Sequence, residues 1–238
     1  MSHDIAIIGD GCAALSLAAK AEQLPDYNIT LVKPNGAPEP KDHVWGFWSD
    51  ETLEDAAQLA RGTWHRWDII TPKRRITMSS KSMPYHAIKR NDWAAHCQNL
   101  AKSAGVNFID EDDWQINDSS TIFDTRPPLV PNNCILQHFQ GLEIKTNTPV
   151  FDDKTAILMD FRVDQSKGMH FIYLLPYSST EALVESTIFS TELVDEQFYL
   201  STIDNYLAEY YEVKEYEITH REKGVIPLGK LSLHDDNI

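Results

Sequence analysis

The chain has 238 residues, 42% of them hydrophobic and 24% charged, a composition typical of a globular protein with one large or two small domains. Its 36 acidic residues against 21 Lys and Arg give a net charge of −15, which disfavours binding to a nucleic-acid backbone. The three cysteines and nine histidines have no metal-ligand or disulfide spacing, so we expect no metal site and a reducing, cytoplasmic compartment. No apolar stretch approaches the length of a membrane-spanning helix, so any membrane contact would be peripheral.

The first three predicted elements are a buried strand, a helix rich in small residues and a second strand, over residues 5–8, 12–24 and 28–32. A strand, glycine turn, helix and strand in this order is the context that a dinucleotide-binding fingerprint requires. Gly9 permits the tight turn, Gly11 lets the backbone approach a pyrophosphate, and Ala14 is the small residue needed where helix meets strand. The alternative is that the glycines are present only for steric reasons, to form the turn between strand and helix, and bind no nucleotide. Lys33 stands where an acid usually binds the ribose, so ribose recognition must come from elsewhere.

An aromatic segment follows the proline-rich stretch 34–40. Trp45, Phe47 and Trp48 place three aromatic side chains within four positions, interrupted by Gly46. Two interpretations stay open. The rings could be ordinary core, or they could bind a flat apolar ligand that passes close to the glycine backbone.

The remaining predicted elements separate into two kinds. A helix over 51–60, strands over 64–70 and 75–79, a helix over 91–104 and strands over 106–109 and 121–124 come first. The second half carries strands over 134–145, 155–162, 170–175 and 182–189, separated by turn residues, and an acidic helix over 195–211. This half indicates an antiparallel sheet, so we predict a cofactor domain interleaved with a sheet domain.

Positive charge is concentrated in residues 61–90, where eight basic residues oppose Asp68 for a net charge of +7. The rest of the chain therefore carries −22. A solvated strand face is one interpretation of this stretch. The other is a patch that faces anionic lipid headgroups at a membrane surface.

Several short segments together resemble the flavin-dependent lycopene cyclases. They are the glycine fingerprint, WGFW at 45–48, PVF at 149–151, LMDFR at 158–162, FIYLLPYS at 171–178, LVEST at 183–187 and GVIPL at 224–228. The resemblance implies an α/β fold like that of the aromatic-hydroxylase flavoproteins, with a Rossmann-like FAD-binding domain and an antiparallel-sheet substrate domain. It also implies reduced FAD, NAD(P)H as its electron source, and cyclisation of lycopene or a related acyclic carotenoid to β-type rings without net redox change.

The resemblance also assigns the site residues. LVEST matches the family's FLEET-like motif, so Glu185 is the implied catalytic acid, with Ser186 in place of a second acid. LMDFR makes Asp160 a second catalytic candidate and Arg162 a substrate-binding residue, with a structural ion pair between them as the alternative. Arg90 occupies a position where related flavoproteins place a basic residue near the cofactor, with an ordinary member of the basic stretch 61–90 as the alternative. The 45–48 aromatics would contact the carotenoid.

The resemblance predicts the following domain boundaries: residues 1–60 and 91–130 for the FAD-binding domain, 61–90 and 131–222 for the substrate domain, and 223–238 for the start of a return to the FAD-binding domain. Family members continue beyond this point, so we expect the fold to be C-terminally incomplete. Two other functions are compatible with the sequence: an FAD-dependent monooxygenase or halogenase of the same fold, and an inactive carotenoid-binding fragment.

Overall fold

The computed structural model describes residues 3–37, 41–115, 121–127, 130 and 134–229. Internal contacts divide the chain into two units. The parallel-sheet unit comprises Met1–His43 and Lys89–Pro127, and the antiparallel-sheet unit comprises Val44–Ile88 and Pro128–Ile238. Each unit is therefore built from two separate segments of the chain, as the predicted interleaving requires.

Strands and α-helices follow one another along the described residues as β1 (His3–Ile8), α1 (Cys12–Ala18), β2 (Tyr27–Lys33), β3 (Val44–Trp48), α2 (Glu54–Gln58), β4 (Gly62–Trp64), β5 (Arg66–Thr71), β6 (Arg74–Ser79), β7 (Tyr85–Lys89), α3 (Arg90–Ser103), β8 (Asn107–Asp110), β9 (Thr121–Asp124), β10 (Ile135–Lys145), β11 (Thr155–Asp160), β12 (Met169–Pro176), β13 (Glu181–Ser190), α4 (Glu196–Tyr211) and β14 (Glu217–Leu228). Short 3-10 helices cover Ala21–Gln23, Glu51–Leu53 and Glu111–Asp113.

The parallel-sheet unit has a four-stranded sheet in the order β8-β2-β1-β9, and each of its pairs is parallel. Helices α1 and α3 pack together, and their buried residues join the sheet in one apolar core that includes Ile7, Leu15, Leu31 and Cys97. Helix α1 is shorter than the predicted helix over 12–24. The backbone turns at Lys20 into a 3-10 helix, and this turn buries Ala21 in the same core.

The antiparallel-sheet unit is built on a seven-stranded sheet in the order β14-β10-β13-β12-β11-β5-β6. Its pairs are antiparallel except β11 with β5, which run parallel. Helix α4 packs on one face of the sheet, where Ile203 and Leu207 meet Leu142, Ile172 and Val184. The predicted antiparallel sheet is thereby confirmed, and β10, β11, β12 and β13 lie within two residues of the bounds predicted for the second half, whereas β14 was not predicted as a strand.

A three-stranded sheet in the order β3-β7-β4 supplies the core on the other face of the seven-stranded sheet. Trp64 and Tyr85 from the small sheet pack with Leu158, Leu175 and Leu183 from the large one. Because side chains alternate between the two faces of a strand, each residue of the large sheet belongs to either the α4 face or the small-sheet face.

Two segments lie in a different unit from the one predicted. Residues 44–60, assigned from the sequence to the FAD-binding domain, belong to the antiparallel-sheet unit because β3 joins the three-stranded sheet. Residues 223–229 do not return to the parallel-sheet unit, because β14 stays paired with β10 as far as the Leu228 partner of Ile135. The predicted helix over 51–60 is a 3-10 turn followed by the short α2. Residues 230–238 and 38–40 lie outside the described residues.

Candidate functional site

Glu185 lies within a row of residues that crosses four strands of the large sheet. Tyr173 of β12 is opposite Glu185, Glu185 is opposite Gly141 of β10, and Gly141 is opposite Glu222 of β14. These residues share the small-sheet face. Gly141 has no side chain, and a Cβ there would come within 2.9 Å of Glu222 Cγ. The glycine therefore leaves room for two glutamates, two strands apart, to meet.

The carboxyl groups of Glu185 and Glu222 lie in the same register row on one face of the sheet, and each shifts the pKa of the other. Each accepts one hydrogen bond from a neighbouring group. The Thr187 hydroxyl donates to Glu185 Oε1 over 2.6 Å, and the Val44 backbone N–H donates to Glu222 Oε2 over 2.8 Å. Both residues are buried, with 9% and 5% exposure. Two buried carboxyl groups in contact cannot both ionise at low cost, so they share a proton.

Burial is the main reason that the pKa of Glu185 rises from its ordinary range to about 8, and the neighbouring charge of Glu222 raises it further. Burial also raises the pKa of Glu222, but the Val44 N–H and the hydrogen bond from Glu185 oppose that rise. The Val44 donor is a fixed backbone group, whereas the Thr187 hydroxyl can rotate to donate or accept. These surroundings favour the proton on Glu185 and the negative charge on Glu222.

Aromatic rings and one ion pair surround the two carboxyl groups. Burial and the Glu185 charge raise the pKa of Tyr173 to about 12, and they raise the pKa of Tyr85 as well. Arg61 forms an ion pair with the buried Glu143, and its guanidinium lies 4.3 Å from the centre of the Tyr177 ring. The positive charge of Arg61 is thus engaged by a third glutamate, and Glu185 stays in surroundings that favour its neutral form.

Ser186 points away from Glu185. Its hydroxyl hydrogen-bonds to His170 Nε2 over 2.8 Å, and the His170 ring contacts Phe198 of α4. Neighbouring residues of a strand project to opposite faces of a sheet, so a second acid at this position would not lie beside Glu185. The sequence indicated a single carboxyl group at LVEST. The structure supplies the second one from Glu222, which no motif in the sequence singled out.

Asp160 and Arg162 form an ion pair on the α4 side of the sheet. The fully buried Asp160 carboxylate accepts hydrogen bonds from Arg162 Nε at 2.9 Å, Arg162 Nη2 at 2.6 Å and the Tyr206 hydroxyl at 2.8 Å. The Arg162 guanidinium also lies 3.8 Å from the centre of the Tyr210 ring. The structure does not bring Asp160 and Glu185 together, and this geometry favours the structural ion pair over a catalytic role.

The aromatic segment forms β3. Phe47 stacks on His86 with ring centres 5.3 Å apart, and the half-exposed Trp48 lies edge-on to Tyr85 at 4.9 Å. A Cβ at Gly46 would collide with the Tyr85 hydroxyl. The close approach to the glycine is therefore made by the protein's own Tyr85. Trp45 is partly buried. Ligand contact by Trp45, Phe47 and Trp48 stays a prediction.

The three fingerprint positions have distinct surroundings in the parallel-sheet unit. Gly9 has a φ of +135°, and a Cβ there would collide with the Thr125 hydroxyl, which donates to the Ile8 carbonyl oxygen over 2.9 Å. Gly11 precedes α1, and a Cβ there would meet no atom within 4 Å. Ala14 is fully buried. Gly9 and Ala14 are thus packing positions, whereas the backbone at Gly11 borders open space.

A cavity of about 350 Å³ lies in the same unit. Charged residues from four strand or helix ends line it: Asp10 after β1, Lys33 at the end of β2, Arg90 at the start of α3 and Asp110 at the end of β8. Lys33 and Asp110 are register partners in adjacent strands. An acid is therefore present at this edge of the sheet, although it comes from the strand beside the one expected. These residues fit a dinucleotide, which needs both cationic and ribose-binding groups.

The basic stretch 61–90 is not a single surface. Lys89 and Arg90 lie in the parallel-sheet unit, and the rest of the stretch lies in the other. Several of its cations form ion pairs, namely Arg61 with Glu143, Arg66 with Asp152, Arg75 with Asp68 and Lys89 with Asp42. None of the helices within the described ranges combines the length and apolarity needed to cross a membrane.

Comparisons with known proteins agree on one family. The family model "Lycopene cyclase protein" matches residues 4–236. A lycopene beta-cyclase from Paracoccus sp. (strain N81106 / MBIC 01143) is 26% identical over 96% of this chain, and one from Pantoea ananas is 27% identical over 78%. The chain spans 62% and 52% of the lengths of these two relatives.

Solved structures show a similar fold at low sequence identity. A geranylgeranyl bacteriochlorophyll reductase-like protein from Thermoplasma acidophilum superposes with a TM-score of 0.65 and 13% identity, covering 96% of this chain and 67% of that one. A flavin-dependent halogenase from Xanthomonas campestris gives a TM-score of 0.62 and 9% identity, covering 95% and 62%. These likenesses establish the Rossmann-like flavoprotein fold. Because the family model matches nearly the whole length, the chain belongs to the lycopene cyclase family.

Proposed function

We propose that this protein catalyses the cyclisation of the ends of lycopene, or a related acyclic carotenoid, to β-type rings, with Glu185 as the proton donor. One observation carries the proposal: Glu185 is buried on the same sheet face as a second glutamate, Glu222, and this burial and neighbouring charge raise its pKa to about 8. The two similar proteins named lycopene beta-cyclase support the substrate and the ring type.

Cyclisation requires a strong proton donor in dry surroundings. The Glu185 O–H adds its proton to a terminal alkene carbon, and the neighbouring double bond then forms the new carbon–carbon bond of the ring. The resulting tertiary carbocation loses a proton from an adjacent carbon, so the ring double bond forms with no net redox change. Burial favours this chemistry because it excludes water, which would otherwise capture the cation. The aromatic rings of Tyr85 and Tyr173 present electron-rich faces that stabilise positive charge.

FAD is the proposed cofactor. The Gly11 backbone would approach its pyrophosphate, and Arg90, Lys33 and Asp110 at the 350 Å³ cavity would hold its phosphate and ribose groups. In its reduced form, supplied with electrons by NAD(P)H, the bound cofactor would provide negative charge that stabilises a carbocation. Lys33 stands where an acid usually binds the ribose, and we propose that Asp110 on the adjacent strand binds the ribose instead.

The deciding experiment uses Glu185→Gln in a host that accumulates lycopene. Glutamine keeps the size and hydrogen bonding of the side chain but cannot protonate an alkene. We expect cyclised carotenoid to fall by about 100- to 10,000-fold, the usual contribution of general acid catalysis, with flavin content and melting temperature almost unchanged. Glu181→Gln is the matched control, since Glu181 lies on the same strand in an exposed ion pair with Lys145.

Two results would contradict the proposal. Ring formation by the Gln variant at the parental rate would exclude Glu185 as the acid. Oxygen consumption that depends on an aromatic substrate, with no cyclised carotenoid from the parent protein, would indicate a monooxygenase or halogenase instead.

A further inference from the structure

Glu222 lies in the same register row as Glu185, two residues before the GVIPL segment and outside every segment that carries the family resemblance. Its position follows from β14, which continues the large sheet beyond β10. One strand, β10, lies between the Cα atoms of Glu185 and Glu222, and an ordinary side chain on that strand would fill the space between the two glutamates. Gly141 removes that obstruction, because even a Cβ at this position would lie 2.9 Å from Glu222 Cγ and 3.2 Å from Glu222 Oε1.

Glu222 is also fixed on its far side. Its Oε2 accepts the backbone N–H of Val44 at the start of β3, so two sheets of the same unit determine its place. Glu222 also interacts with the Glu185 carboxyl group, and His220 and Glu143 act on it electrostatically. A buried carboxylate held by a backbone donor on one side and facing a second carboxyl group on the other is arranged to receive a hydrogen bond from that group.

We propose that Glu222 is a positioning residue for cyclisation: its carboxylate accepts a hydrogen bond from the Glu185 O–H and keeps Glu185 protonated and oriented. The Val44 backbone N–H holds the Glu222 carboxylate in place, and Gly141 leaves the space that its side chain occupies. This inference rests on the proposed function of Glu185. Proton donation leaves two adjacent carboxylates, whose repulsion favours the uptake of one proton by Glu185. That proton balances the one released when the ring double bond forms.

Other titratable groups face the pair from each neighbouring strand. They are Tyr173 on β12, Tyr85 on β7, Glu143 on β10 with its partner Arg61, His220 on β14, and Tyr177 after β12. The two acids Glu143 and Glu222 raise the cost of a further negative charge, and the tyrosines stay neutral at physiological pH. His220 lowers the pKa of Glu222, so it favours a charged Glu222 and leaves the proton on Glu185.

The first test measures the protonation of Glu185 without substrate or flavin. Infrared spectra of the purified protein, taken from about pH 5 to about pH 10, follow the stretching band of the protonated carboxyl group, and Glu185→Gln assigns that band. In the parent the band should be lost with a midpoint near 8. In Glu222→Gln the like charge is absent, so we expect the midpoint to fall by about one to three pH units.

The second test measures the pH profile of ring formation. Glu185 is active when protonated, so activity is present at low pH and is lost as the pH rises through the pKa of Glu185. Glu222→Gln should keep its activity at acidic pH and lose it at a lower pH than the parent does. A merely structural residue would instead reduce the rate by the same factor at every pH. Glu181→Gln should leave the profile unchanged.

Gly141→Ala tests the pair without changing either acid. The added methyl group displaces the Glu222 side chain, so the infrared midpoint should move in the same direction as in Glu222→Gln. An unchanged midpoint in Glu222→Gln, in folded protein, would overturn the inference. The absence of ring formation in the parent would refute the proposed function, but the infrared titration would still decide whether Glu222 controls the protonation of Glu185.

Discussion

At the scale of single residues, the two fingerprint glycines differ in what surrounds them. Gly9 has a positive φ and touches Thr125, so it is required by the fold itself. Gly11 borders open space, so a side chain there would affect only a molecule that comes to occupy that space. This difference separates cofactor binding from folding at two positions that the sequence pattern treats alike.

We therefore expect Gly11→Val to lower flavin content while the melting temperature of the flavin-free protein stays near that of the parent. The valine side chain would block the approach of the backbone to a pyrophosphate without meeting any protein atom. Absorbance of the purified protein measures the bound flavin. Gly9→Ala is the contrasting variant and should lower the free energy of unfolding by about 1 to 3 kcal/mol. Parental flavin content in Gly11→Val would refute the nucleotide site.

At the scale of elements, strand alternation decides which candidate acids can act together. Glu185 and Glu222 lie on the small-sheet face, whereas Asp160 and Ser186 lie on the α4 face with Tyr206 and His170. The LMDFR and LVEST segments thus lie on β11 and β13 of the same sheet, with β12 between them, and present their acids to opposite sides. Asp160 of β11 accepts a hydrogen bond from the Tyr206 hydroxyl of α4, so it connects the strand to the helix and stabilises the fold.

Asp160→Asn should destabilise the protein without removing the proton donor. The change breaks a buried ion pair, and because Arg162 keeps 29% of its side chain exposed, we expect a loss of about 3 kcal/mol, the lower end for such pairs. Ring formation per folded molecule should stay close to that of the parent. Denaturant unfolding and product analysis measure the two effects. A stable Asn variant with no ring formation would make Asp160 catalytic after all.

At the scale of the whole molecule, the charge of the basic stretch is divided between two units and reduced by ion pairs. The exposed turn between β5 and β6 still presents Lys73 and Arg74 at an edge strand of the large sheet. Lycopene, the proposed substrate, dissolves in membranes, and we propose a peripheral membrane contact through this turn.

Flotation with anionic liposomes tests that contact. Each basic residue near such a surface contributes about 1 kcal/mol, so the double change Lys73→Glu and Arg74→Glu should reduce binding by at least about tenfold. Binding of the parent should weaken as salt is added. Lys154→Glu with Lys214→Glu makes the same change of charge at exposed sites elsewhere and serves as the control. Equal losses in both double variants would assign the effect to net charge alone.

The sequence by itself determined much of the architecture, because local patterns report local structure. The apolar run at 5–8, the glycine turn and the small-residue helix predicted β1, the turn and α1, and the spaced strand patterns of the second half predicted an antiparallel sheet. It also identified the family, whose model matches residues 4–236. The lengths of β3 and β14, and the units they belong to, were not predicted, because strand pairing depends on partners far along the chain.

Only the tertiary structure decided how the candidate acids are grouped. Glu222 lies 37 residues after Glu185 and belongs to no motif. The two glutamates nevertheless share one face of the sheet, because the strand between them, β10, has Gly141 at that point and therefore no side chain to separate them. Ser186 is next to Glu185 in the chain but points to the opposite face. A buried carboxyl group takes its pKa from its neighbours in space, and in a sheet these come from adjacent strands rather than from adjacent residues.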